Sequence, residues 1–380
     1  MAQSILLIDS YYRGVLDSLG VATADPIGRG YEDALAELVD FGFGTGGAYQ
    51  RNLRAAGWRA DVIVPNALGL QMQWARENGV RSPFARGWKY APHLSRLPGV
   101  RDLLHLVPHL HRVMLQQVEA AQPDVVLVQD INLVPPGLAK EIRRNTSLLV
   151  GEIASPLPPK PYLLSYDLIV SALPSVVEQA RSWNIPSVGV PLGFDERWMT
   201  VSPASSRPID AIFVGSFSRL QLATAPLLRA VAERIPTLQI YGPASQKVLD
   251  DSGLAPFHRG PAWGRRMFEL LGQSKLVVNR HGEVAGPYAV NMRMFETTGS
   301  GALLVTEAKQ NLADLFEPGR EVLAYRSAQE AADLAAAALA EPARLDAIAR
   351  AGQERTLAEH TYARRIERFI EILEEHLPRD

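Results

Sequence analysis

The 380-residue sequence contains no cysteine. Disulfides, thiolate metal sites and a cysteine nucleophile are therefore excluded, and the absence suits a reducing compartment. An excess of charge of either sign is also missing. The 39 Lys and Arg stand against 41 Asp and Glu, a formal net charge of -2. That balance gives no reason to expect a nucleic-acid or anionic-membrane partner. No apolar run approaches the roughly 20 residues needed to span a bilayer. The opening stretch MAQSILLIDS has no basic region ahead of its apolar residues, so it reads as a strand and not as a secretion signal. Internal repeats are absent, and the only biased tract is alanine-rich, around 331–340. The expectation is a soluble, cytoplasmic protein with no integral membrane segment, its oligomeric state left open.

Hydrophobic residues make up 47% of the chain and charged residues 21%, a composition that supports a large core. The length suits two domains of about 150–200 residues each. The most informative stretch is 279–302, NRHGEVAGPYAVNMRMFETTGSGA. An apolar run, KLVVN, precedes it and another, ALLVT, follows at 302–306. Both read as buried parallel strands. The residues between predict a loop containing Gly282, Gly286 and Pro287, then a helix over 288–298 closed by Gly299 and Gly301. Strand, glycine loop, helix and strand form half of a nucleotide-binding α/β domain. The free N–H groups that open such a helix attract phosphate. Arg293 and Glu296 lie three residues apart and share a helix face. A cation there would suit a diphosphate, and a carboxylate would suit a ribose diol. The plainer alternative is a surface Arg–Glu pair.

The rest of the chain repeats the same grammar. Strand 4–8 ends in Asp9-Ser10-Tyr11-Tyr12, and polar residues at a carboxyl strand end usually face a ligand crevice; the alternative is a simple helix cap. A helix over 31–40 leads to FGFGTGG, whose glycines Gly46 and Gly47 open the next helix, 48–56, and allow close approach of a phosphate or another backbone. Strand 60–65 follows. Residues 79–108 lack periodicity and are rich in Pro, Gly, Arg and aromatics, suggesting cover for an acceptor, with Trp88 and Tyr90 as its aromatic faces. His105, His109 and His111 have no carboxylate at ligand spacing and read as ordinary solvated or packing histidines. Strand 124–130 ends in Asp130, strand 148–151 runs into Glu152, and strand 166–172 closes the first series. The proline-rich stretch 186–203 reads as the hinge. A second series starts at 210–216 and continues through 238–242 and the stretch around 279–302. After a short strand at 321–325 come helices, the last, 362–377, amphipathic and placed to pack back across the hinge.

Several motifs together carry a family resemblance. They are Phe213-Val214-Gly215-Ser216, Asn291-x-Arg293-x-Phe295-Glu296 with Gly299 and Gly301, Leu312-x-x-Leu315-Phe316-Glu317-Pro318-Gly319-x-Glu321-Val322, and His360-Thr361-Tyr362. In the first half they are Gly151-Glu152-Ile153-Ala154-Ser155-Pro156, Tyr166-Asp167 and Pro191-Leu192-Gly193-Phe194-Asp195. This pattern resembles the CgeB-like (spore-maturation type) relatives of the group-1 glycosyltransferases. The resemblance spans most of the chain and is most specific over 210–362. It implies the α/β GT-B fold: two Rossmann-like domains facing a central cleft, with a C-terminal helix crossing back. The implied division is 1–193 on the acceptor side, 194–360 on the nucleotide-sugar side, and 361–380 as the returning helix.

The resemblance further implies a glycosyltransferase that moves a sugar from a nucleotide-sugar donor to an acceptor hydroxyl or amine, with no cofactor and no obligatory metal. In such enzymes helix N-termini and basic side chains carry the diphosphate charge. The donor-binding set it implies is Gly46, Gly47, Gly215, Ser216, Arg219, Arg280, Asn291, Arg293 and Glu296. One departure stands out. Many group-1 enzymes place a sugar-contacting Glu eight residues before the ribose Glu, where this chain has Tyr288, so that role is not carried over. For a catalytic base, Asp130 at a strand end comes first and His281 in the donor-side loop second. The same residues also fit a nucleotide-sugar epimerase or hydrolase, or a non-catalytic sugar-nucleotide-binding partner protein.

Overall fold

The structure, a computed structural model, describes residues 3–20, 30–80, 108–201, 207–216 and 224–378. The chain forms two compact units. One is Met1–Val190 together with Ile366–Asp380, and the other is Pro191–Arg365. Among the described residues, no helix is long and apolar enough to cross a membrane.

The first unit is built on six parallel strands: β1 (Ser4–Ile8), β2 (Arg59–Ile63), β3 (Val125–Val128), β4 (Leu148–Glu152), β5 (Leu168–Ser171) and β6 (Ser187–Gly189), in the order β2-β1-β3-β4-β5-β6. The four inner strands read SILLI, VVLV, LLVGE and LIVS and are buried along their whole length. A strand covered on both faces needs apolar side chains at every position, and this pattern signals parallel pairing. Register is direct, with Ile5 between Ala60 and Val125. Helix α1 (Gly46–Ala55) precedes β2 and buries Tyr49 and Leu53. The Tyr49 ring lies 5.6 Å from that of Phe369, which comes from the C-terminal segment of this unit.

The second unit carries five strands: β7 (Ile209–Val214), β8 (Gln239–Tyr241), β9 (Ser274–Val278), β10 (Leu303–Glu307) and β11 (Leu323–Tyr325). Their order is β11-β10-β9-β7-β8, again all parallel. Helix α2 (Gly264–Gly272) buries Met267, Phe268, Leu270 and Leu271, one stripe at helical spacing. Helix α3 (Met292–Gly299) is the one the glycine-loop motif predicts, but it begins four residues later than the pattern suggests. The side chain of Asn291 accepts from Met294 N at 3.1 Å and caps the helix there. Asn291 itself has extended backbone, so the helix has no earlier turn. The predicted strand over 321–325 is shorter too, because Gly319 N donates to Val322 O and holds that end in a turn.

Helix α4 (Pro342–Glu359) lies against α3. Thr298 and Thr356 hydroxyls meet at 2.6 Å in the core, and Gln353 Nε2 donates to Gly299 O. Phe194 is fully buried and threads this region, with its N–H on His360 O and its carbonyl receiving Tyr362 N, the first residue of α5 (Tyr362–His376). A Cβ on Gly299 would lie 2.4 Å from the Phe194 ring. Gly299→Ala should therefore cost about 1–3 kcal/mol by overpacking. Denaturant unfolding checks this, and an unchanged midpoint would mean that the Phe194 ring yields freely.

Candidate functional site

Parallel pairing places all carboxyl strand ends of a sheet on one edge, and ligands of such sheets bind where the strand order reverses. In the second unit that reversal is at β7, flanked by β8 on one side and β9 on the other. Four of the expected donor residues meet there. β7 runs into Gly215, whose N–H donates to Tyr241 O at 2.9 Å. Gly242, at φ +144, passes so close that a Cβ on it would sit 1.9 Å from Gly215 O. Glycine is required at that crossing on both counts. Half-buried Ser216 follows directly.

Asn291 ties the loop after β9 to the helix. Besides capping α3, its Nδ2 donates to Asn279 Oδ1 at 3.0 Å and to Arg280 O at 3.2 Å. Asn279 in turn donates to Thr306 Oγ1 on β10, and its carbonyl receives the Tyr325 hydroxyl from β11. Three neighbouring strand ends are thus joined through one asparagine. Arg280 emerges from this frame half-buried, and no carboxylate among the described residues pairs with its guanidinium. Arg293 is more committed. Its Nε donates to Val214 O at the end of β7, and its Nη1 meets Met267 Sδ and Glu296 Oε2, the latter at 2.7 Å. Its Nη2 makes no bond among the described residues. The Arg–Glu pair exists, but in a buried setting and not on the surface: the side chains are 18% and 9% exposed. Burial raises the Glu296 carboxyl, and Arg293 opposes that shift. Arg219 lies outside the described residues, as do Trp88, Tyr90 and His105.

His281 is a buried group of the same frame. Its main-chain N–H donates to Glu307 Oε2 at 2.8 Å, and its Nε2 lies 3.2 Å from Thr306 Oγ1. Burial, followed by the nearby Lys309 charge, pushes it down to about 4. A neutral imidazole that resists protonation so strongly is a weak base at neutral pH.

In the first unit the strand order reverses at β1, between β2 and β3. Here the structure assembles side chains that sequence reasoning had noted singly, as strand ends, without joining them. Asp9, just beyond β1, is 5% exposed; its Oδ1 accepts from Ser10 N at 2.7 Å and its Oδ2 from Gly46 N at 3.3 Å. Glu152, which ends β4, is 8% exposed and accepts from Tyr49 Oη at 3.5 Å and from Gln129 Nε2 at 3.3 Å. Gln129 Nε2 also donates to Thr45 Oγ1. Asp130 caps a single 3-10 turn, accepting from Asn132 N and Nδ2 at 3.1 Å, and its other oxygen takes the Ser10 hydroxyl at 3.3 Å. The first of the two helix-opening glycines therefore serves an internal carboxyl: a Cβ on Gly46 would lie 2.5 Å from Asp9 Oδ2. Gly47 instead allows close contact with Val39 O, at 2.8 Å from the same hypothetical atom. Among the described residues no group of three His, Cys, Asp or Glu is placed to hold a metal.

Burial dominates the electrostatics of this edge. It lifts Asp9 from the usual 3.8 to about 7, with the Glu152 and Asp130 charges adding to the rise and the Ser10 and Gly46 N–H groups opposing it. Glu152 rises from 4.5 to about 7, again through burial, against its bonds from Gln129 and Tyr49. Between about pH 4 and about pH 7 the folded chain keeps protons that the unfolded chain has released. The stabilisation from these groups is complete below that window and lost as pH rises through about 7. Asp9→Asn removes the titration while keeping the shape. Its melting temperature should gain on that of the wild type across the window, by a few kcal/mol at most in free energy. Paired thermal unfolding scans measure this, and a difference that does not change with pH would show that Asp9 ionises freely.

Residues 221–371 match the family model described as glycosyl transferase-like. No curated protein sequence matches the chain. Among solved structures, the chain resembles sucrose-phosphate synthase of Thermosynechococcus elongatus with a TM-score of 0.61 at 15% identity, covering 98% of each chain. The complex of Anabaena Alr3699/HepE with UDP and glucose gives 0.59 at 14% identity, covering 98% of this chain and 100% of the other. A glycosyltransferase of Rickettsia africae gives 0.60 at 10% identity, covering both chains completely. At these identities the likeness is one of fold, and with two parallel-sheet Rossmann-like units that fold is GT-B.

Proposed function

We propose that the protein is a glycosyltransferase that takes a sugar from a nucleotide-sugar donor and passes it to an acceptor hydroxyl or amine without a metal. The observation that carries this reading is the arrangement at the β7/β9 reversal. There the unpaired Arg280 guanidinium, the Nη2 face of Arg293 and the Glu296 carboxylate share one sheet edge with the close-packed backbones of Gly215 and Gly242. All of these but Gly215 lie within the stretch that matches the glycosyl transferase-like model. The HepE structure similar to this chain holds UDP and glucose, which makes a uridine diphosphate sugar the first donor to test. The CgeB-like subtype rests on the motifs quoted above, and a cytoplasmic location rests on the cysteine-free composition.

In the transfer, the bond from the anomeric carbon to the diphosphate oxygen breaks, and a bond to the acceptor atom forms. Negative charge collects on the departing diphosphate. Arg280 supplies a cation there that owes nothing to an internal carboxylate, and preorganised charge of this kind is usually the largest single contribution to the rate. Arg293, locked by Val214, Met267 and Glu296, orients the carboxylate and adds its free donors. Glu296 receives the ribose hydroxyls, a charge-assisted interaction. Fixed cations at this edge do the neutralising that a divalent ion does elsewhere.

Nucleotide binding and turnover separate these roles. Glu296→Gln keeps the shape but removes the charge and should weaken UDP binding about tenfold or more. Arg280→Ala should leave UDP binding within a few-fold but lower turnover by about 100-fold or more. Calorimetry with UDP, alongside sugar-transfer assays with and without a chelator, reads both. Wild-type UDP affinity in Glu296→Gln would overturn the ribose role. Donor breakdown that is complete without any acceptor would turn the reading to hydrolysis. Loss of activity with chelator would overturn metal independence.

A further inference from the structure

The first unit holds a constellation that the donor chemistry does not use. Asp9, Asp130 and Glu152 close three different strands on one sheet edge, at and beside the point where the strand order reverses. Every bond to Asp9 and Glu152 comes from a neutral donor: Ser10 N, Gly46 N, Tyr49 Oη and Gln129 Nε2. The same holds for Asp130, bonded by Ser10 and Asn132. Among the described residues no Lys, Arg or His pairs with any of the three. Buried carboxylates are normally paired with a cation, because taking the charge out of water costs several kcal/mol.

A second, independent observation points to a missing occupant. Tyr166 is 4% exposed and its hydroxyl has no hydrogen-bond partner. The Asp130 charge, after burial, pushes this phenol upward, which puts the ring in the field of that carboxylate. The Oε1 of Gln129 is likewise buried without a partner, on the side facing Gly46. Native proteins rarely leave such atoms unsatisfied.

We propose that this edge is the acceptor subsite and that it takes a protonated amine, as in an amino sugar, with the ammonium on half-buried Asp130 and the Asp9 and Glu152 carboxyls behind it. The assignment rests on the glycosyltransferase reading and names the acceptor class for it. An ammonium fits better than the alternatives. A bare metal ion needs converging ligands, and no three acidic or histidine groups converge here. A neutral polyol would satisfy Tyr166 and Gln129 but leave the carboxyl charge uncompensated. An amino sugar supplies both parts: a cation for the acids and hydroxyls for the two orphaned atoms.

Proton linkage gives this assignment a distinct signature. The titrating groups that face the subsite are Asp9 on the β1 end, Asp130 on the β3 end, Glu152 on β4, Tyr49 on α1 and Tyr166 before β5. Of these, Asp9 and Glu152 hold protons near neutrality, both lifted to about 7. A bound cation favours their ionised forms and expels part of those protons.

The test is calorimetry of the whole protein with 6-amino-6-deoxyglucose and with glucose, in the absence of donor. It is run from about pH 6 to about pH 8 in two buffers of different ionisation enthalpy, a range in which this primary amine stays charged. The expected result is amine binding at least about tenfold tighter than glucose, tightening with pH and releasing protons. Asp130→Asn keeps the cap on Asn132 and should weaken amine binding about tenfold while leaving glucose unchanged. Asp9→Asn should flatten the pH dependence. Equal affinity for the two sugars, no detectable amine binding, or an unaffected Asp130→Asn variant would each overturn the subsite. UDP binding measured on the same samples keeps the two readings apart. UDP binding without amine binding removes this inference alone. Amine binding without UDP binding removes the donor reading instead.

Discussion

The constraint on which everything else depends is parallel strand pairing. Eleven strands in two sheets all run the same way within their own sheet. Each inner strand is buried on both faces, so its side chains are spent on the core and carry no chemistry. The polar residues that do carry chemistry are confined to the first positions beyond the carboxyl ends. Asp9, Gln129, Asp130 and Glu152 occupy those positions in one unit. Gly215, Gly242, Asn279, Arg280 and Glu307 occupy or adjoin them in the other. The same geometry that removes the strands from water therefore gathers functional groups along two edges.

The two edges differ in how their charge is balanced. In the second unit the buried carboxylate, Glu296, has its own cation at 2.7 Å, and Arg280 is left over. The edge carries a surplus of positive charge, suited to an anion. In the first unit the buried carboxyls have only neutral donors, and the edge is proton-holding and acidic. One fold thus presents opposite electrostatics at equivalent topological points. A transferase that joins an anionic donor to a second substrate needs such a division of labour, because each substrate is then repelled from the other's site.

Much of this was legible in the sequence. Continuous apolar runs such as SILLI and VVLV identify buried parallel strands, and the helices over 31–40 and around 46–55 appear where the pattern puts them. The glycine-loop motif led to Arg293, Glu296 and the Asn291 cap because their spacing along one helix is local information. His281 shows where local reading ends. Its place in a glycine loop suggested an exposed, reactive ring, yet Thr306 and Glu307, from the next strand, bury it and tie it down. The Arg293–Glu296 spacing likewise predicted a pair but not its burial, which depends on Val214 and Met267 from distant segments.

By itself, the sequence determined the fold class, the exclusion of thiol chemistry, the strand ends at which polar groups emerge and the helix that carries the arginine–glutamate pair. These follow from composition and from periodicities of two to four residues. Only the tertiary structure decided which strand ends became neighbours. Asp9 and Glu152 are 143 positions apart in the chain, and nothing local to either one announces the other. Their shared burial, and the protons it makes them hold, arise from the order β2-β1-β3-β4, in which β3 alone separates their strands. The pKa of a carboxyl is set by the water it loses and the charges it faces, and both are properties of the assembled sheet.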